Sequence, residues 1–180
     1  MIYILLADGF EEMEALVPCD ILRRADLDVL LVSIGSRKEV TGAHNIKVLA
    51  DILISDANFE GMEMIILPGG ARGTENLQNS RDVQRLIDFC VLSDTYIAAI
   101  CAAPSILGRR GLLNGKKAVC FPDFQGELTG AALSDKNVCI DGKIVTAKSA
   151  GFSDEFAFAI VRLIAGDEAE KKIRAVMRCT

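Results

Sequence analysis

The chain has a single histidine, His44, and that scarcity removes several chemistries at once. A zinc site made of imidazoles, or a catalytic centre using two of them, has no material to be built from. The six cysteines, at 19, 90, 101, 120, 139 and 179, include no pair separated by two residues. Neither a CxxC redox centre nor a zinc ribbon fits that spacing. Lysine and arginine number 20 against 25 acidic residues, a formal charge of -5, and they form no basic cluster. Such a chain carries no electrostatic footprint for nucleic acid or for an anionic membrane. No apolar stretch approaches the ~18 residues of a membrane span. The opening run from Met1 to Leu6 has no basic residues ahead of it and stops at Asp8, too short for a signal peptide. The expectation is a cytoplasmic protein with reduced thiols and no nucleic-acid or membrane partner.

What is present is core-forming material. Apolar residues make up 51% of the 180, enough for one domain spanning residues 1–180 with a sizeable interior. Short apolar runs alternate with helix-period segments, the pattern of an α/β sheet. Ile2–Leu6, Asp28–Ser33, Met64–Leu67 and Tyr96–Ile100 read as strands, the first and the last two as buried ones. Residues 35–57 read as short strands and turns. Lys117–Cys120, Val138–Ile140 and Ile144–Ala147 read as later strands, with Asp141-Gly142 turning a small hairpin. Helices are expected over Glu11–Ala25, kinked at Pro18, and over Arg81–Leu92, Ala102–Arg109, Ser153–Ala165 and a last segment to Met177 capped by Asp167. The simplest architecture is a doubly wound, mostly parallel sheet, whose sites lie at the carboxyl ends of the strands.

Three of those strand ends carry chemistry. At Ala99-Ile100-Cys101-Ala102-Ala103 a buried strand runs straight into a helix, with small residues two before and two after the cysteine. That order matches a nucleophile elbow with alanines for glycines and cysteine for serine. A thiol at a helix N-terminus is expected to ionise early, which makes it a nucleophile and an oxidation target. A packed core cysteine is the other reading. Glu14 falls among Val17, Pro18, Ile21 and Ala25 on the apolar face of its helix, whereas Glu12 falls on the opposite side with Arg23. A buried carboxyl there either stays protonated and donates to the Cys101 sulfur or acts as a general base. As an ordinary first-turn acid it would do neither. After Leu67, Pro68-Gly69-Gly70-Ala71 bends the chain with its N–H groups exposed. Gly70 and Ala102 N–H together would cradle an oxyanion, if the turn is more than a turn. The spacing fits neither a Walker loop nor a dinucleotide fingerprint. His44 is read as a surface residue.

Taken together, Ala7-Asp8-Gly9-Phe10-Glu11-Glu12-Met13-Glu14, Leu67-Pro68-Gly69-Gly70 and Ala98-Ala99-Ile100-Cys101-Ala102-Ala103-Pro104 resemble the ThiJ/PfpI superfamily, and within it the DJ-one branch in a bacterial form. The resemblance implies a flavodoxin-like fold with helices on both faces of the sheet, and usually a homodimer. It implies that Cys101 is the reactive cysteine, Glu14 the protonated acid at its sulfur, and Gly70 and Ala102 the backbone donors. It also implies a cysteine-dependent glyoxalase or deglycase acting on methylglyoxal or on a glycated side chain, an oxidative-stress sensor or a chaperone, with no cofactor or metal. The peptidase-like branch has His directly after its cysteine. Here that residue is Ala102, which disfavours an amidase or peptidase. The loop after the first strand is acidic, which speaks against a bound flavin.

Overall fold

The computed structural model describes residues 1–178, so Cys179 lies outside the described residues. Its strands are β1 (Ile2–Leu6), β2 (Val29–Ser33), β3 (Glu39–Thr41), β4 (Lys47–Leu49), β5 (Ile52–Leu53), β6 (Met64–Leu67), β7 (Tyr96–Ile100), β8 (Lys117–Ala118), β9 (Ala132–Leu133), β10 (Val138–Asp141) and β11 (Ile144–Ala147). Its helices are α1 (Glu12–Arg24), α2 (Ala71–Asn79), α3 (Arg81–Leu92), α4 (Pro104–Arg109), α5 (Ser153–Ala165) and α6 (Asp167–Met177).

Seven strands form the main sheet in the order β10-β11-β7-β6-β1-β2-β5. All neighbours are parallel except β10 and β11, which make the expected hairpin. Parallel strands are covered on both faces, so they read as continuous apolar runs. Every residue of β1 and β6 is buried. Alternate side chains go to opposite sides. Ile2, Ile4, Leu6, Met64, Ile66, Ala98 and Ile100 join the core under α1 and α5. Tyr3, Leu5, Ile65, Leu67, Ile97 and Ala99 join the core that includes Val83, Leu86 and Ile87 of α3 and Ile106 and Leu107 of α4. This is the doubly wound sheet with helices on both faces that the sequence predicts.

Some boundaries differ. The helix α1 runs unbroken through the buried Pro18. Lys117–Cys120 pairs only at its first two residues, which join β9 in a small separate sheet. The last helix begins after Gly166, at φ +90, and Asp167 is its first residue, with no side-chain cap. The order of the strands places the ends of β1, β6 and β7 side by side. Chain direction reverses its winding between β1 and β6, the crevice where such sheets bind ligands.

Candidate active site

Cys101 occupies the turn between β7 and α4 with φ +64, a left-handed conformation unusual for a residue with a side chain. A residue bent that way costs roughly 1–2 kcal/mol, so its surroundings must hold it. Cys101 N–H donates to Ala147 O of β11 at 2.9 Å, and Phe121 N–H donates to Cys101 O at 2.8 Å. The small flanks Ala99 and Ala103 are both buried. Pro104 opens α4, where its missing N–H costs no hydrogen bond. Among the described cysteines Cys101 is the only one that is not fully buried.

Glu14 has no solvent exposure at all. Its Oε2 accepts a hydrogen bond from Gly69 N–H at 2.7 Å. Its Oε1 has no hydrogen-bond partner, and the group coupled to the carboxyl is the Cys101 thiol. Gly69 is therefore a contributor that the sequence reading passed over. A Cβ there would lie 2.6 Å from Glu14 Oε2 and 2.8 Å from Cys101 Cβ, so only glycine lets sulfur and acid meet. Gly70, at φ +85, brings the β6 loop against the β1 loop. A Cβ on it would sit 2.5 Å from Gly9 O. Glu11 N–H donates to Gly69 O at 3.0 Å and ties the two loops together. The N–H groups of Ala102 and Gly70 favour the charged form of the Cys101 thiol. Cys101, Glu14, Gly70 and Ala102 thus stand in one place.

The electrostatics correct one expectation. The thiol does not ionise early on the strength of a helix N-terminus: α4 has six residues and begins three positions past the sulfur. Burial comes first and pushes Cys101 up to about 12, with the Glu14 carboxylate adding repulsion, while the Ala102 and Gly70 N–H groups act the other way. Burial likewise pushes Glu14 up to about 7, against the lowering influence of the Cys101 thiol and the hydrogen bond from Gly69. Two anions in contact inside a protein repel strongly. The pair therefore loses its first proton near neutrality and its second only far into the alkaline range.

Glu12 corrects another expectation. It does not face solvent beside Arg23 but is 5% exposed, covered by the turn between β3 and β4. Its Oε1 accepts His44 N–H at 2.7 Å, and its Oε2 pairs with His44 Nδ1 at 2.8 Å. Burial of Glu12 is outweighed by those hydrogen bonds, which hold its carboxyl below the usual range. Glu12, with Glu11, raises His44. No helical wheel signals this cover, because it arrives from 32 residues further along the chain. Glu11, Glu12 and His44 also bring potential metal-ligand atoms within 4.8 Å of one another. Both Glu12 oxygens are already engaged by His44.

Residues 1–163 match the DJ-1/PfpI family. The chain belongs to that family. Protein DJ-1 homolog B of Arabidopsis thaliana is 37% identical over 164 residues, 91% of this chain and 37% of the relative's length. The glutathione-independent glyoxalase DJR-1.2 of Caenorhabditis elegans is 31% identical over 160 residues, 88% of this chain and 84% of that protein. The structure of oxidized DJ-1 from Toxoplasma gondii superposes with a TM-score of 0.93 at 33% identity, covering 98% of this chain and 96% of that one. The chain spans less than half the length of the two plant homologs, A and B.

Within the DJ-1/PfpI family, this member's only imidazole is held by Glu12 and its residue after the cysteine is the buried Ala102. A thiol activated by a histidine, as a peptidase needs, has no support here. Phe121, whose N–H binds the cysteine carbonyl, is 36% exposed. Among the described residues, no helix is long and apolar enough to cross a membrane.

Proposed function

We propose that the protein is a cysteine-dependent glyoxalase or deglycase of small carbonyl compounds, working as one domain over residues 1–180 in the cytoplasm. The observation that carries this reading is the buried Glu14 carboxyl, pushed up to about 7 and coupled to the sulfur of a cysteine held at φ +64. A group that titrates near the working pH both gives and takes protons efficiently.

In the proposed reaction the Cys101 sulfur adds to the aldehyde carbon of methylglyoxal. Its proton goes to the carbonyl oxygen by way of Glu14, giving a hemithioacetal. The Gly70 and Ala102 N–H groups stabilise negative charge as it forms. Glu14 then carries a proton from the former aldehyde carbon to the neighbouring ketone carbon, while the hydroxyl proton of the hemithioacetal passes to the ketone oxygen. The first carbon is oxidised and the second reduced, leaving a lactoyl thioester. Water cleaves the thioester, releasing lactate and the free thiol. No outside oxidant or reductant is consumed. Deglycation would reach the same hemithioacetal by substitution at the carbon of an aminocarbinol: the C–S bond forms, the C–N bond breaks, and the thiol's proton leaves with the amine by way of Glu14.

Lactate formed from methylglyoxal by wild type and by Cys101→Ala tests this. Loss of at least about a hundredfold in the variant is expected if the sulfur is the nucleophile. Equal rates would end the proposal. A second reading, oxidation sensing and protection of other proteins, is favoured because Cys101 is the only described cysteine of intermediate exposure, the others being buried. Peroxide would convert its thiolate to sulfenate and then sulfinate, each step reducing one peroxide to water. Intact mass after mild peroxide, on the same two proteins, checks that reading: the oxygen adducts must vanish with the sulfur. We read the working form as a homodimer, supported by exposed Met13, Ile46 and Leu49 beside the Glu12–His44 contact.

A further inference from the structure

A concavity opens at the carboxyl ends of β1 and β2, and neither Cys101 nor Glu14 lines it. It encloses about 440 Å³ between Asp8, the loop from Ser33 to Arg37 and the α2 residues Arg72 and Asn76. A neighbouring hollow of about 500 Å³ shares Asp8, Arg37 and Arg72, so the two form one trough.

Its charges do not balance. Asp8 is satisfied, accepting Thr41 N–H at 2.9 Å and lying 3.5 Å from Arg37. Glu39 is paired with Lys47 at 3.1 Å. Arg72 has neither an ion pair nor a hydrogen-bond partner among the described residues. Yet it is not simply loose in water. Its stem lies flat on Gly9, where an added Cβ would come within 2.7 Å of Arg72 Cβ and 3.1 Å of its Cδ. Gly9, at φ +86, is thus the floor on which the arginine is laid. The facing loop is also fixed, because Ser33 Oγ donates to Arg37 O at 2.6 Å and accepts from Gly35 N–H at 3.3 Å. An unpaired guanidinium with a pre-ordered stem, facing a concavity on a rigid sheet edge, is suited to a planar or tetrahedral oxyanion held by two parallel N–H bonds. Open crevices at strand ends next to the winding reversal are also where such sheets take ligands.

We propose that this trough is a binding site for a small molecule carrying an oxyanion, a phosphate or a carboxylate. Arg72 grips the oxyanion, while Arg37, on the loop after β2, stays engaged with Asp8 and offsets its charge. The site is separate from the reaction at Cys101 and does not depend on that reading. Inorganic phosphate and acetate serve as probes, titrated calorimetrically at pH 7 with ionic strength held constant in chloride. Wild type and Cys101→Ala should bind one of them saturably and alike. Whichever probe binds tighter names the group. Arg72→Gln should bind at least about tenfold more weakly, and Arg72→Lys should fall between, since it keeps the charge and loses the fork. Thermal unfolding in chloride alone shows whether the variants are folded, as expected for an exposed side chain. The proposal fails if neither probe binds beyond chloride, if Arg72→Gln binds like wild type, or if Cys101→Ala abolishes binding.

Discussion

Cys101 and Glu14 are best understood as one titrating unit with two heavy-atom sites. Either residue alone would be ordinary. Together, the first proton leaves near 7 and the second near 12, because burial opposes both charges and each anion opposes the other. Glu14→Gln removes one site and keeps the volume. The alkylation rate of Cys101 against pH, followed by peptide mass, should then lose the step near 7. It should show one midpoint between the two wild-type steps, since the sulfur no longer faces an anion and keeps its two N–H donors. A variant profile that overlays the wild type would mean that the acid and the sulfur do not communicate.

The elements that carry the site are held together by a contact between distant segments. The turn between β3 and β4 is fastened to the start of α1 by His44 on Glu12. Protonated His44 strengthens that fastening. Its folded value is raised above the ordinary 6.5, so the contribution is complete below 6.5 and fades as pH climbs through the raised value. The single imidazole gives a single Cε1–H resonance. Its midpoint should lie above 6.5 in wild type and return towards 6.5 in Glu12→Gln; identical midpoints would show that the fastening is absent in solution. This contact also marks the limit of what could be read beforehand. Runs such as Ile2–Leu6 and Met64–Leu67 announce buried strands because they are apolar on both faces. The helix α2 shows no apolar stripe: ARGTENLQN mixes helix formers with Gly73, Thr74 and two asparagines, and apart from Gly73 and Thr74 buries only Leu77. Its start is set by the bend at Gly70 and its close approach to Phe10 through Gly73. Glu14 was legible because its own helix face is apolar, and Gly69 was not, since its task is to leave room for residues 55 and 32 positions away.

At the scale of the whole molecule, the buried acid makes stability depend on pH. Glu14 ionises near 4.5 in the unfolded chain and near 7 in the folded one. Between those values the folded state binds more protons, so stability falls as pH rises through that window and stays lower above it. The span corresponds to roughly 3 kcal/mol. Urea unfolding of wild type and Glu14→Gln from pH 4.5 to 8 should therefore show the variant gaining on the wild type as pH increases, by an amount of that order; a constant gap would place the Glu14 charge in contact with water. The sheet around the site answers to a similar tension. The left-handed bend at Cys101 is a posture that glycine adopts freely and cysteine does not. Random substitution that favours a sturdier fold consequently pulls this position towards glycine, and only demand for a reactive sulfur holds it where it is.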